Sequence, residues 1–269
     1  MSGDFSLVTE IAGARATREQ LAMIQTRYAE AARIAEGRRV LEVACGPGRG
    51  LGLIARRARM AVGTDLTHKL VHQAREHYRD RLPVLQCNAQ ALPFVDASFD
   101  VAVVFEAIYY LPDPDQLIEE CRRVLAPGGT LLLSSANREW TGFTSSALAT
   151  SYLSASELRA MLGRHGFSPT VLGAFPASWS EASARNVLVS CVRRTALALG
   201  MVPATLHGRE ILKRLFYGPL SALGPEIGER DANPALLEPV AMTGAVTNFK
   251  VLFAVGQLVK STTQESAPQ

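Results

Sequence analysis

Cysteine, lysine and long apolar runs are all scarce in this chain of 269 residues. Only four cysteines occur, Cys45, Cys87, Cys121 and Cys191, and no two are spaced as C-x-x-C. That scatter argues against a zinc ribbon and against a disulfide framework, and it predicts free thiols in a reducing cytoplasm. Cys45 adjoins a glycine turn, where a small side chain filling a crowded bend is expected rather than a nucleophile. No metal centre is expected: His68, His72 and His77 fall in one predicted helix, no third ligand joins His68 and His72, and a solvated helix face accounts for all three. Lys69, Lys213, Lys250 and Lys260 are the only lysines, and the net charge is just +3. Without a lysine-rich tract or an aromatic RNA motif, no nucleic-acid partner is expected. No apolar run reaches the roughly 18 residues of a membrane span. The opening Met-Ser-Gly-Asp lacks a basic-then-apolar leader, so no signal peptide and a cytoplasmic location are expected. Apolar content of 48% and charge of 20% fit a soluble enzyme with a large core, one domain carrying an insertion.

What is present is a strand that breaks into glycine. Arg39-Val-Leu-Glu-Val-Ala-Cys-Gly-Pro-Gly-Arg-Gly50 reads as a buried strand ending in a sharp turn before a helix. Glycine there lets a ligand lie against bare main chain, at the edge of an α/β sheet where nucleotide-like ligands bind. Ala61–Asp65 reads as a second strand ending in a carboxylate, about 20 residues on, the spacing of an acid that grips ribose hydroxyls. Two phosphate-binding patterns fail. The third glycine of G-x-G-x-x-G falls on Leu51 or Leu53, and no Gly-Lys-Ser/Thr follows. Glu42, just before the turn, suits an ammonium or sulfonium better than a phosphate.

With these residues the chain resembles the class I S-adenosylmethionine-dependent methyltransferases, in the small-molecule branch. Glu42-x-x-x-Gly46-x-Gly48 resembles that family's first motif, and Asp65 stands where the family places its ribose acid. Cys87-Asn-Ala-Gln-Ala-Leu-Pro-Phe94 with Asp96-Ala-Ser-Phe-Asp100 resembles its adenine-side loop and following strand. Arg122-Arg-Val-Leu-Ala-Pro-Gly-Gly-Thr-Leu-Leu-Leu133 resembles its helix, Pro-Gly-Gly turn and next strand. The resemblance covers about residues 38–175. It departs at Ala44, where relatives often have Gly, at Asn88, where they often have Asp, and at Tyr109-Tyr110, where they often carry a His pair. It implies S-adenosylmethionine as cofactor, with Glu42, Ala44, Gly46, Gly48, Asp65, Leu66, Asn88, Ala89, Gln90, Phe105 and Tyr110 around it. A leading helix covers the cofactor in that family, so Tyr28 and Arg27 are placed either at its methionine end or in ordinary packing. Asn88 keeps a side-chain carbonyl able to accept from the adenine amino group.

The remaining periodicity fills out a fold. Residues 15–36 read as a helix with Leu21, Ile24, Tyr28, Ala31 and Ile34 on one stripe. Helices are also expected over 49–58 and 68–80, at Pro112–Asp115 and from a capping box at Ser154/Glu157 to near Gly166. Strands are expected at 84–87, 100–105, 130–135, 170–175 and 249–255. The alternation predicts an α/β, Rossmann-like, doubly wound sheet. The resemblance makes it seven-stranded, with the last strand antiparallel beside the one before it. The expected organisation is an N-terminal helical cap (1–37), the cofactor-binding core (38–175), a helical insertion that is the candidate acceptor lid (176–247), the last strand (248–260) and a disordered tail (261–269). Helices over 181–199 and 208–217 are expected in the insertion, whose basic residues Arg185, Arg193, Arg194, Arg209, Lys213 and Arg214 leave two readings open. They recruit an anionic or lipid-linked acceptor at a membrane surface, or they are solvated faces and a dimer contact. Both monomer and homodimer remain open.

The expected reaction is methyl transfer to a small-molecule acceptor, most simply a sugar or natural-product hydroxyl; nitrogen and carbon acceptors, or binding without catalysis, are the alternatives. Alignment dominates such a displacement, and a hydroxyl acceptor also needs a base. Glu106, with Tyr109 beside it, is the candidate; hydrogen bonding to the cofactor or capping a helix are its other readings. Tyr110 is expected over the cofactor or in the core, and Asn137 and Trp140 are expected to face the acceptor pocket, with Arg138 between them.

Overall fold

A computed structural model describes residue 5 and residues 11–176, 220–228, 234–241 and 243–259. In chain order the elements are β1 (Arg15–Ala16), α1 (Arg18–Ile34), β2 (Arg39–Val43), α2 (Leu51–Ala55), β3 (Met60–Asp65), α3 (His68–Tyr78), β4 (Val84–Gln86), β5 (Phe99–Phe105), a 3-10 turn (Ile108–Tyr110), α4 (Pro114–Val124), β6 (Leu125–Ala136), α5 (Ala155–Arg164), β7 (Phe167–Pro176), β8 (Ser221–Ala222), β9 (Glu238–Pro239) and β10 (Phe249–Leu258). The helices expected over 181–199 and 208–217, Cys191 and the tail at 261–269 lie outside the described residues.

The main sheet runs β4-β3-β2-β5-β6-β10-β7-β9. β2 pairs parallel with both β3 and β5, and β6 continues parallel beside β5. β10 lies antiparallel between β6 and β7, as the resemblance implied. Among the described residues the sheet has eight strands rather than seven, because Glu238–Pro239 adds two residues to the β7 edge. Chain order reverses at β2, with β3 on one side and β5 on the other, so a crevice opens at the carboxyl ends of β2 and β5.

Local chemistry sets the boundaries. Thr17 caps α1, its Oγ1 accepting from the Gln20 N–H while Gln20 Oε1 accepts from the Thr17 N–H. The helix therefore begins at Arg18, and Arg15–Ala16 instead pairs with Ser221–Ala222. The Ser154/Glu157 box forms as expected. α2 is five residues long, much shorter than 49–58, and its N-cap is Gly50, which has no side chain to satisfy the first turn. β6 starts at Leu125, upstream of the expected 130, because Leu125 pairs with Phe99 before a bulge restores register at Val101/Thr130.

The core lies on both faces of the sheet. Val101, Val103, Leu132 and Phe253 meet Ile24, Leu51, Ile54 and Tyr78 on one face. Ala102, Val104, Leu131 and Leu133 meet Leu117, Ile118, Leu158 and Leu162 on the other. Each such aliphatic side chain contributes about 1.5–3 kcal/mol on burial. That two-sided burial makes β5 an almost unbroken apolar run and holds the crevice rigidly.

Candidate active site

The register of β2 against β3 builds the site. Glu42 lies opposite Gly63 and Val43 opposite Thr64, and the Cys45 N–H continues the ladder to the Thr64 carbonyl. The turn therefore emerges beside Asp65, whose Oδ2 accepts from the Gly46 N–H at 2.9 Å and whose Oδ1 accepts from the Thr67 N–H at 2.7 Å. Burial raises the Asp65 carboxyl, and these backbone donors oppose the rise. Each oxygen keeps a lone pair for a further donor such as a ribose hydroxyl. Gly46 and Gly48 take left-handed φ of 57° and 72°. Ala44 also does, at 57°, which explains why glycine suits that position. Cys45 is the small filler expected: its Sγ lies 3.0 Å from where a Cβ on Gly63 would sit, and burial pushes its thiol well above the usual range.

Glu42 is 1% exposed. Its Oε1 accepts from the Tyr28 hydroxyl at 2.6 Å, while Oε2 is buried without a hydrogen-bond partner. Burial pushes its carboxyl up to about 7, against the lowering influence of that Tyr28 bond. A buried, half-satisfied carboxylate is costly unless a cation completes it. Tyr28 reaches it from α1, meets the Phe105 ring edge-on at 5.2 Å between centroids, and covers Gly50, where an added Cβ would fall 2.0 Å from the ring.

Tyr78 is a site residue that sequence reading passed over. Fully buried at the end of α3, its hydroxyl donates to the Gly48 carbonyl at 2.6 Å and accepts from the Gly52 N–H at 2.9 Å. It thus caps α2 from another helix, supplying what Gly50 cannot, and pins the glycine turn. The turn is also bound from behind by residues 223–228. Arg49 Nε donates to the Gly224 carbonyl, the Ile227 N–H donates to the Arg49 carbonyl, and Glu226 accepts from Arg81 and pairs with His77.

Around the loop after β4, Ala89 is buried and Leu66 half-buried. The exposed Asn88 turns its Oδ1 onto the Gln90 N–H, and Gln90 Nε2 donates to the Asp113 carbonyl. The loop beyond is stapled by α4: Arg123 donates to the Leu92 and Phe94 carbonyls, and Glu120 accepts from the Leu92 N–H.

Beyond β5, Glu106 takes φ 52°, a left-handed conformation costing a non-glycine residue about 1–3 kcal/mol. Two hydroxyls fix its carboxylate, Tyr109 at 2.9 Å and Ser134 at 3.1 Å. Burial, with the Glu106 charge next, holds the Tyr109 phenol well above its usual value. Tyr109 is therefore a neutral donor to Glu106. Tyr110 is half-buried against Tyr109, ring centroids 4.6 Å apart.

The expectation for Asn137 is corrected. It is fully buried, its Nδ2 donates to the Val246 and Phe249 carbonyls, and its Oδ1 accepts from the Glu139 N–H, so it latches β10 to β6 instead of facing an acceptor. Trp140 is half-buried, with Lys250 Nζ 5.2 Å from its ring centroid. Lys250 also pairs with Glu19 of α1.

A glycine turn, a buried acid at the next strand's end and an unsatisfied buried carboxylate lie together at the reversal point of a doubly wound α/β sheet, where such folds bind nucleotide-like ligands. Residues 41–133 match the family model described as "Methyltransferase domain". A probable S-adenosylmethionine-dependent methyltransferase of Mycolicibacterium smegmatis is 38% identical over 165 residues, which cover 59% of this chain and 64% of that protein. One from Mycobacterium tuberculosis is 40% identical over 114 residues, 42% of this chain and 41% of that protein. A ubiquinone biosynthesis O-methyltransferase of Coxiella burnetii is 23% identical, covering 61% and 70%. The chain thus spans 41% to 64% of the length of the two mycobacterial relatives. Among solved structures, a Thermotoga maritima S-adenosylmethionine-dependent methyltransferase, described as a possible histamine N-methyltransferase, superposes with a TM-score of 0.55 at 16% identity, covering 89% of this chain and 94% of that one. The cyclase SpnF superposes at 0.57 with 19% identity, covering 94% and 88%. Residues 41–133 therefore carry a methyltransferase domain, similar to those of S-adenosylmethionine-dependent relatives.

The cofactor of that domain is S-adenosylmethionine, and the residues present fit it. The unpartnered Glu42 oxygen suits its ammonium, Asp65 retains acceptors for ribose hydroxyls, and the turn offers bare backbone.

Proposed function

We propose that this protein transfers a methyl group from S-adenosylmethionine to a hydroxyl of a small molecule. The observation that carries this reading is Glu106, held in a left-handed backbone and aimed by the Tyr109 and Ser134 hydroxyls at the carboxyl end of β5. The cofactor, when bound, supplies an electrophilic methyl carbon on a sulfonium. The protein supplies the rest. Glu42 would hold the ammonium, Asp65 the ribose, and Leu66 and residues 88–90 would border the adenine. Tyr28 covers the turn from α1, and Phe105 and Tyr110 would pack against the cofactor. Glu106 orients the acceptor hydroxyl and takes its proton, while Tyr109 and Ser134 keep the carboxylate in place. Trp140 flanks the acceptor side. In this reading the reaction belongs to small-molecule biosynthesis in the cytoplasm.

The relative named as a ubiquinone biosynthesis O-methyltransferase supports oxygen as the receiving atom, and the cyclase neighbour is a reminder that this fold also hosts other chemistry. The test is a mass shift of one methyl group across a panel of sugars, phenols and amines. Transfer to a hydroxyl, lost in Glu106→Gln with cofactor affinity kept, is expected. A methylated amine overturns the oxygen assignment, and cofactor binding without transfer to any acceptor class makes this a binding protein.

A further inference from the structure

The aromatic rings at the carboxyl edge of the sheet are not scattered. Phe143 meets Tyr152 edge-on at 4.7 Å, Tyr152 stacks on Tyr109 at 4.3 Å, and Tyr109 meets Tyr110 at 4.6 Å between centroids. Aromatics are only 7% of the chain, so five rings in one contiguous row, with Phe5 5.5 Å from Tyr110 at its outer end, is a concentration. The row ends at Glu106, because Tyr109 is at once a member of it and the donor to the Glu106 carboxylate. Tyr109 is buried, whereas Tyr110, Phe143 and Tyr152 are half-buried and keep part of their surfaces open.

Several polar groups of the segments near this row are engaged with the protein itself. Asn137 is fully used. Arg138 donates to the Tyr152 carbonyl and to Glu157. Thr150 Oγ1 lies on the Tyr109 and Leu111 carbonyls. The Tyr152 hydroxyl accepts from the Ser146 N–H. A sugar carries hydroxyls around its ring, and each would lose water here with few partners among the described residues. An aromatic ring needs only apolar contact and ring-to-ring geometry, which the row supplies.

We propose that the acceptor is an aryl hydroxyl, a phenol whose ring packs on the Tyr110–Tyr109–Tyr152–Phe143 row and whose oxygen meets Glu106. This rests on the methyltransferase reading above. A phenol is far more acidic than an alkyl alcohol, so a carboxylate suffices as base. The acceptor O–H bond breaks and its proton passes to Glu106. The oxygen's electron pair forms the new bond to the methyl carbon, and the displaced pair stays on sulfur as a neutral thioether.

The test compares 4-propylphenol with 4-propylcyclohexanol and methyl glucoside, each titrated into the full chain saturated with S-adenosylhomocysteine and followed by saturation-transfer NMR. The phenol is expected to bind about tenfold tighter than its saturated isostere, the glucoside not at all. Tyr152→Leu and Phe143→Leu are expected to erase the preference while S-adenosylhomocysteine affinity stays unchanged; should either variant misfold, the isostere pair on the wild type decides alone. Equal binding of phenol and cyclohexanol, or saturable binding of the glucoside, overturns the proposal. Methylation of a sugar in the transfer assay overturns it too and leaves the methyltransferase reading intact. Phenol binding to the row with no transfer to any acceptor overturns the acceptor assignment together with the methyltransferase reading.

Discussion

Glu42 offers the sharpest quantitative handle on the site. Its carboxyl is buried, half-satisfied and pushed up to about 7 from an ordinary 4.5. The raised value means that stability from this group is fully present below its unfolded pKa of 4.5 and is lost as pH rises through about 7. At about 1.4 kcal/mol per pKa unit the loss is roughly 3 kcal/mol. An ammonium seated against the free oxygen reverses the preference, because only the ionised carboxylate attracts it. About 3% of the unliganded protein has Glu42 ionised at about pH 5.5 and about 75% at about pH 7.5, so the apparent Kd tightens about 25-fold between them. Calorimetry with S-adenosylhomocysteine, in two buffers of different ionisation enthalpy, reads both the affinity and the proton released. Glu42→Gln keeps the shape and an acceptor for Tyr28 but removes the charge. A charge-assisted bond is worth about 1.5–3 kcal/mol, so affinity near neutral pH drops about 10- to 150-fold. The pH slope and the proton release vanish with it, and the unliganded variant gains stability above neutral pH. A wild-type Kd independent of pH, or a glutamine variant with the same slope as wild type, would refute the assignment of Glu42 to the ammonium.

Further consequences follow from packing around the same turn. Tyr78→Phe strips two buried hydrogen bonds, to the Gly48 carbonyl and from the Gly52 N–H. It is expected to cost about 1–3 kcal/mol in urea denaturation and to raise the KM for cofactor while leaving kcat near wild type. Gly50→Ala places a Cβ 2.0 Å from the Tyr28 ring and displaces that ring from Glu42. A loss of about 1–3 kcal/mol in stability is expected, with weaker cofactor binding in the same titration. The cluster between α4 and α5 predicts acid sensitivity. Glu119 is held at about 2, by Arg122 first and also by His165, against an ordinary 4.5. Its stabilisation is therefore present above its unfolded pKa of 4.5 and lost as pH falls toward about 2. Half-exposure to solvent keeps the effect small, and Glu119→Gln should flatten that part of the thermal-melt pH profile.

Much of this was legible in sequence because the signals are local. The β2 run into Gly46-Pro47-Gly48, the Asp65 strand end and the Ser154/Glu157 capping box each depend on a few adjacent residues. What escaped depends on contacts between distant segments. Tyr78 reads as the last apolar residue of α3, and only folding brings its hydroxyl to Gly48, 30 residues earlier. Residues 223–228 read as part of the helical insertion until the Ile227 N–H meets the Arg49 carbonyl. Asn137 sits at the end of β6, where a site residue is expected, yet its amide answers two carbonyls more than 100 residues away. β9 exists only because the β7 edge offers it a partner. The aromatic row had one partial signal, the Tyr109-Tyr110 pair, but Tyr152 and Phe143 join it through tertiary packing alone.

The central claim is that the turn after β2, with Glu42 and Asp65, is the S-adenosylmethionine pocket. A crystal structure of the chain with S-adenosylhomocysteine tests it most directly. The account predicts the ribose hydroxyls on Asp65 and the amino group within hydrogen-bond distance of Glu42 Oε2. Nucleoside density elsewhere, or ribose and amino groups out of reach of both carboxylates, would contradict it.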